Sequence, residues 1–359
     1  MCENDFSEIK AQGLKHNLLP LIYSQLQKYH NLISPEQVIN DFLEQSKGLY
    51  LKSVALSMQQ EAIENEIFTI LGKKKVPSVV IKGNKIAREI YDDPNCRASS
   101  DIDILIRRED AEKVDPILRE AGYIAEAYIP LIYCLSRIHH AIYYHPLNNM
   151  LIEIHWRFGV PYFFKLDSEE IWDEVIISKS GDSRLSPEML MFMLLIHHHS
   201  HSFRELKILV DILWSLYKYD NEIDWYEFAQ RLGKIGLLKS TQIISNQIQS
   251  LWKETAEEMK SVQILQQEIA RMGYKVSSFL LSYFQMDSNK KYHSEIYKDK
   301  LIARLALDKW STIILSYFKT LFPVPEAIKE LYKDRRNWTL PFNYLRFITW
   351  RVKDWIGRL

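Results

Sequence analysis

Asp101-Ile102-Asp103 is where chemistry first becomes legible in this sequence. On a strand, residues i and i+2 project to the same face, so the two carboxylates sit side by side. Each raises the other's pKa unless a cation lies between them. A hard divalent ion supplies that cation, and Mg²⁺ commonly takes one or two carboxylates together with substrate phosphates. Upstream, Val79-Val80-Ile81-Lys82-Gly83 reads as a strand and then a glycine, with a helix over Asn84–Tyr91. A glycine there lets a phosphate approach the backbone, and a helix N-terminus favours negative charge. Lys82 and Arg97 add mobile and forked positive charge nearby. A third carboxylate, Glu153, stands in Leu151-Ile-Glu-Ile-His-Trp156, where the period of two sets Glu153, His155 and Arg157 against Ile152, Ile154 and Trp156. Three carboxylates on two strands can hold two metal ions about 3.5–4 Å apart, a pair suited to activating a hydroxyl and stabilising departing pyrophosphate. Each residue also has a structural reading. Asp101 and Asp103 could be a solvated strand edge, Glu153 a partner for Arg157, and Lys82 and Arg97 structural partners of the carboxylates. His155 reads as a positioning or core histidine before a ligand.

These residues need elements to hold them. Residues 1–75 read as an N-terminal helical region, with apolar positions at helical spacing in Leu14–Tyr29 and Val54–Leu71 and a helix start at Ser34-Pro35-Glu36. Lys73–Pro77 breaks the pattern, and residues 76–160 read as a compact α/β core. Its parts are a β-branched strand at Ser78–Ile81, a turn at Asp92–Asn95, a strand at Asp101–Ile106, and a helix over Arg108–Gly122. A hairpin of Ala141–His145 and Met150–Phe158 completes it. Residues 161–359 read as a helical C-terminal region, with a helix opening at Leu185-Ser-Pro-Glu188 and another at Asp224-Trp225. The fold class expected is α+β, a small mixed sheet flanked by helices inside a mainly helical protein.

Composition narrows the function classes. Across 359 residues, 46 Lys+Arg balance 46 Asp+Glu and 47% of residues are hydrophobic, as in a packed globular protein and unlike a disordered one. The longest apolar run, Met189–Ile196, has eight residues, well short of a membrane span. The acidic N-terminus has no apolar signal core, and Cys2, Cys96 and Cys134 lack metal-ligand spacing. The expectation is a cytoplasmic, non-membrane protein with reduced thiols. Charge is unevenly placed: Ser288–Leu359 carries 15 Lys+Arg and 7 Asp+Glu, a net of +8. With Arg335, Arg336, Trp338, Tyr344, Arg346, Trp350, Arg351 and Trp355, this region could touch nucleic acid, but an amphipathic helix with a solvated basic face is favoured. His197 and His201 share a helix face at ligand spacing. With Asp211 alone as a third ligand close in sequence, a hydrogen-bonded cleft wall of His197, His201 and Asp211 is favoured there over a zinc site.

Taken together, Lys82-Gly83, Arg97-x-Ser99-x-Asp101-x-Asp103 and Glu153-Ile154-His155-Trp156 resemble the polymerase-β-like nucleotidyltransferase superfamily. More closely, they resemble its bacterial and archaeal family carrying KG, R-x-x-x-D-x-D and E-x-H-W in order. Leu185-Ser-Pro-Glu188, His197-x-x-x-His201, Arg204, Asp211, Asp224-Trp225 and Leu321-Phe-Pro323 extend the resemblance to roughly residues 14–350. The wider superfamily usually has Gly-Ser or Gly-Gly where this chain has Gly83-Asn84. The resemblance implies an enzyme that transfers a nucleoside monophosphate from an NTP, ATP among the candidates, to an acceptor. Two Mg²⁺ ions would serve as cofactor, with Mn²⁺ as a substitute. Asp101, Asp103 and Glu153 would be metal ligands and catalytic residues, with Glu153 alternatively the general base. Lys82, Gly83, Asn84 and Arg97 would bind the nucleotide. A small-molecule or peptide acceptor is favoured over a toxin-like reaction on RNA or protein, and over a non-catalytic descendant that binds nucleotide or a partner.

Overall fold

In a computed structural model, residues 3–30, 36–91, 93–97, 99–126, 131, 134–135, 138–177, 183–285, 296–334 and 336–356 are described. The chain forms two compact units. The first comprises Met1–Ala125, Ile142–Ile154 and Ile176–Arg184; the second comprises Glu126–Ala141, His155–Val175 and Leu185–Leu359.

The first unit opens with helices α1 (Glu3–Lys15), α2 (Leu19–Tyr29) and α3 (Glu36–Lys73). Asn17, at φ 54°, ends the first turn of the path and splits what periodicity alone suggests is one helix at Leu14–Tyr29. Ser34 and Pro35 lie outside the described residues. Phe6, Leu19, Ile39 and Phe42 pack together from these three helices. The last turns of helix α3 carry an apolar stripe: Ile63, Ile67 and Leu71 recur every four residues and are buried. Each contributes roughly 1.5–3 kcal/mol by leaving water.

The sheet follows, with β1 (Ser78–Val80), α4 (Asn84–Ile90), β2 (Asp101–Ile106), α5 (Ala111–Glu120), β3 (Ile124–Ala125), β4 (His140–Tyr144) and β5 (Leu151–His155). Its spatial order is β1-β2-β5-β4-β3. β1 runs antiparallel to β2, with Ser78 opposite Ile106 and Val80 opposite Ile104, and β3 runs antiparallel to β4. Ile102, Ile104, Leu105 and Ile106 are all buried, so β2 lies in the interior of the unit. The fold is therefore α+β, a small sheet within a mainly helical protein.

Beyond Pro161 the chain is not uniformly helical. After α6 (Ser168–Asp173), β6 (Val175–Ile177) and β7 (Ser183–Leu185) form a separate two-stranded sheet. Three-residue strands are too short to leave an alternation pattern. In the second unit, Ser186 caps α7 (Pro187–Ser200), its hydroxyl accepting from the Met189 amide at 3.1 Å. Met189–Ile196 is buried on every side, which identifies the longest apolar run as a central core helix. Helices α8 (Leu206–Lys218), α9 (Trp225–Ile235) and α10 (Leu238–Leu251) follow. Asp224 caps α9 by accepting from the Tyr226 and Glu227 amides. No helix among the described residues is long and apolar enough to cross a membrane.

Candidate functional site

Strand pairing brings the carboxylates together. The β1–β2 ladder extends one residue beyond β1 through the Ile81 amide, which donates to the Asp103 carbonyl at 3.0 Å. Lys82 comes next, and its ammonium forms an ion pair with Asp103 Oδ1. Both groups are removed from water, at 8% and 1% exposure. Burial alone would pull the Lys82 pKa down. The Asp103, Glu153 and Asp101 carboxylates outweigh that effect and hold it above the ordinary lysine value. Lys82 is therefore a charged counter-ion to all three predicted carboxylates.

β5 is the sheet neighbour of β2, which sets Glu153 next to Asp103. His155 ends the same strand two residues on, and its opposite face carries buried Ile152, Ile154 and Trp156. Carboxylate oxygens of Asp103 and Glu153 lie within 4.8 Å of each other, close enough to share one metal ion. Asp101 is placed differently. It starts β2, is only half-buried, and its Oδ1 accepts from the Ser99 hydroxyl at 2.7 Å. Within the first unit the close carboxylate pair is thus Asp103 and Glu153, with Asp101 two residues before Asp103 on the same strand.

Gly83 sits between β1 and α4 at φ 61° and ψ −129°, a region essentially reserved for glycine. A Cβ there would meet only ordinary contacts, with Ser99 and the Asp101 carbonyl at 3.7 Å, so the conformation imposes the requirement rather than space. Gly83→Ala is expected to lower unfolding free energy by about 1–3 kcal/mol in urea titration. Asn84 is buried, and its Nδ2 donates to the Ser57 carbonyl at 2.9 Å, so the side-chain amide anchors α4 to α3. Arg97 is buried in the segment leading to β2.

What sequence reasoning missed is a polar stripe on α3. Tyr50 donates to Asp93, and Ser53 to the Asn95 carbonyl, each at 2.8 Å. Ser57 receives Asn84, and Gln60 donates to the Ser99 and Asp101 carbonyls at 3.1 and 3.2 Å. The spacing of three and four residues puts this row on one face. That spacing was visible in Tyr50, Ser53, Ser57 and Gln60, but polar residues at helical spacing normally mark a solvated face. Here they grip the loop that presents Asp101 and Asp103.

A cavity of about 470 Å³ in the first unit is lined by Glu61, Glu64, Lys85, Arg88 and neighbours, none of them a predicted site residue. Burial pushes the Glu64 carboxyl up to about 7.

The α7 histidines behave separately. His198 Nε2 meets Gln247 Oε1 at 3.0 Å and His199 Nδ1 meets Ser240 Oγ at 2.9 Å, both rings buried. Burial pulls their pKa values down to about 4 and about 3, so both are neutral core groups. The His197 and His201 rings touch, with centroids 4.6 Å apart. Among the described residues they belong to no set of three metal-competent ligands. In the basic region, Arg336 pairs with Asp334 and lies over Trp338, and Arg346 lies over Tyr332. Arg335 and the side chains of Arg351 and Trp355 lie outside the described residues.

No curated protein and no solved structure matches the chain. A family model described as an uncharacterised nucleotidyltransferase matches residues 3–253, a span that takes in the five-stranded sheet, α3 and the α7 histidines. The chain belongs to that nucleotidyltransferase family.

Proposed function

We propose that this protein transfers a nucleoside monophosphate from an NTP to a hydroxyl or phosphate group, with Mg²⁺ as cofactor and a small molecule or peptide as acceptor. The observation that carries the reading is the meeting of Asp103 and Glu153, on neighbouring strands, within ligand reach of each other. Two carboxylates in a buried setting fit a hard divalent ion, Mg²⁺ with Mn²⁺ as a substitute. Asp103 and Glu153, with Asp101 at the edge, would hold the ion. When bound, it supplies charge neutralisation at the phosphates under attack.

The chain's own residues do the rest. Lys82, charged and buried against Asp103, sets a fixed cation among the carboxylates before substrate arrives, so little reorganisation is needed at the moment of reaction. Gly83 leaves the backbone between β1 and α4 unobstructed by a side chain, where a phosphate can approach. Glu153, half-buried and less tightly enclosed than Asp103, is the carboxylate placed to take a proton from the acceptor hydroxyl. Arg97, buried in the segment leading to β2, would add positive charge for the nucleotide phosphates.

The test needs no acceptor. Thermal unfolding is recorded with each of the four NTPs, with and without Mg²⁺, for the wild type, Asp103→Asn and Glu153→Gln. A ligand at about 100 times its dissociation constant stabilises by roughly 2.7 kcal/mol. That corresponds to a midpoint rise of about 2–4 °C or less at this size. The expected result is an Mg²⁺-dependent rise in the wild type that both variants lose. The same rise in all three proteins, or none with any NTP from folded wild type, would overturn the reading.

A further inference from the structure

His155 belongs to a second constellation. His139 and His140 precede and open β4, and the His139 carbonyl accepts the Trp156 amide at 3.0 Å, which ties that corner to the end of β5. The His139, His140 and His155 rings touch one another, with centroids 4.5, 5.0 and 5.5 Å apart. One ring nitrogen from each lies within 4.8 Å of the others. His155 is fully buried and the other two are half-buried, so the cluster is held by the fold but reachable from solvent.

We propose that His139, His140 and His155 form a binding site for a zinc-class divalent transition ion, separate in chemistry from the carboxylate set. Three neutral imidazoles offer only nitrogen donors. Such a set suits Zn²⁺ or Co²⁺ and discriminates against Mg²⁺ and Ca²⁺, which require oxygen. Three histidines also leave the fourth position of a tetrahedral ion for water or an incoming group. Zn–N bonds of about 2.0–2.1 Å require the three nitrogens to draw together slightly, a movement that side-chain rotation can supply. β5 carries both Glu153 and His155, so an ion on the three imidazoles sits two residues along the strand from the carboxylates. A zinc-class ion is therefore expected to alter the Mg²⁺ response without replacing it.

Co²⁺ titration of the full chain, in excess Mg²⁺ and without nucleotide, tests the proposal through the visible d–d bands of tetrahedral cobalt. The expected result is one Co²⁺ per chain, displaced by Zn²⁺. Affinity should fall at least about tenfold in His139→Gln and in His140→Gln and be kept in Asp103→Asn. Zn²⁺ should also raise the thermal midpoint of the wild type and of Asp103→Asn but not of the two histidine variants, whose circular dichroism shows whether they fold. Absence of Co²⁺ binding overturns the proposal. So does binding indifferent to both histidine variants, or binding lost in Asp103→Asn, which would put the ion on the carboxylates. Because no nucleotide is present, failure here leaves the NTP-dependent shift intact, and failure of that shift leaves this result standing.

Discussion

Asp103→Ala is expected to lower the unfolding free energy by about 3–5 kcal/mol, because it strands the Lys82 ammonium in the interior of the first unit. Lys82→Met should cost a similar amount for the opposite reason, leaving carboxylates crowded without their cation. The double variant Lys82→Met/Asp103→Leu removes both charges and should recover much of the loss, since an apolar pair of similar volume often matches a buried ion pair. Urea unfolding of the wild type, Lys82→Met, Asp103→Leu and the double variant closes the cycle. A coupling energy below about 0.5 kcal/mol would mean that water reaches the pair and that the charges are not mutually dependent. Mg²⁺ adds a second discrimination. If Asp103 and Glu153 bind it, the ion should restore stability to Lys82→Met but not to Asp103→Ala. An equal response in both variants would count against an ion site on these residues.

The second large effect is a loss of stability in mild acid. His198 and His199 are neutral in the folded protein, with pKa values pulled by burial to about 4 and about 3. Unfolded, each titrates near 6.5. Between those limits the unfolded chain binds more protons, so stability rises with pH and falls as pH drops below about 6.5. The loss continues until pH approaches the folded values, where it levels off. From pH 7.5 to pH 5 the two rings together should cost roughly 4 kcal/mol, about 2 each. Glu64, whose carboxyl burial raises to about 7, works in the opposite sense over the same range, so the wild type is compared with His199→Gln at both pH values, and the variant should lose about 2 kcal/mol less. An equal loss in the two proteins would show that His199 takes up its proton in the folded state.

Much of this was legible because the decisive signals were local. The alternation in Asp101–Ile106 and Leu151–Trp156 reported strands with one apolar face, and both strands form where expected. Ser186-Pro187 and Asp224 announced helix starts that their side chains do make. Other features depended on tertiary partners. Asn84 was legible as an amide donor but not as one committed to Ser57. The α3 stripe looked solvated because helical spacing says which residues share a face, not what covers that face. His139 and His140 carried no motif of their own, and only the pairing of β4 with β5 sets them beside His155. The run His197-His198-His199 drew attention by composition, yet two of its members are core residues.

The position of β5 in the sheet has a consequence for how the chain matures. β5 lies between β2 and β4, although it is the last of the five strands to be made. Until residues 151–155 leave the ribosome, β1–β2 and β3–β4 are two separate ribbons, each with an open inner edge. Synthesis proceeds at about 5–20 residues per second, so β2 waits seconds for its neighbour with Asp101 and Asp103 already in place. Unpaired edges are templates for other chains, and Asp101 and Asp103 on the waiting strand would act as its guard. A chain truncated before residue 151 should therefore aggregate more readily once Asp101 and Asp103 are both made neutral. The same acidic residues proposed to hold a metal ion in the finished protein would, in the unfinished one, serve as chaperoning charge.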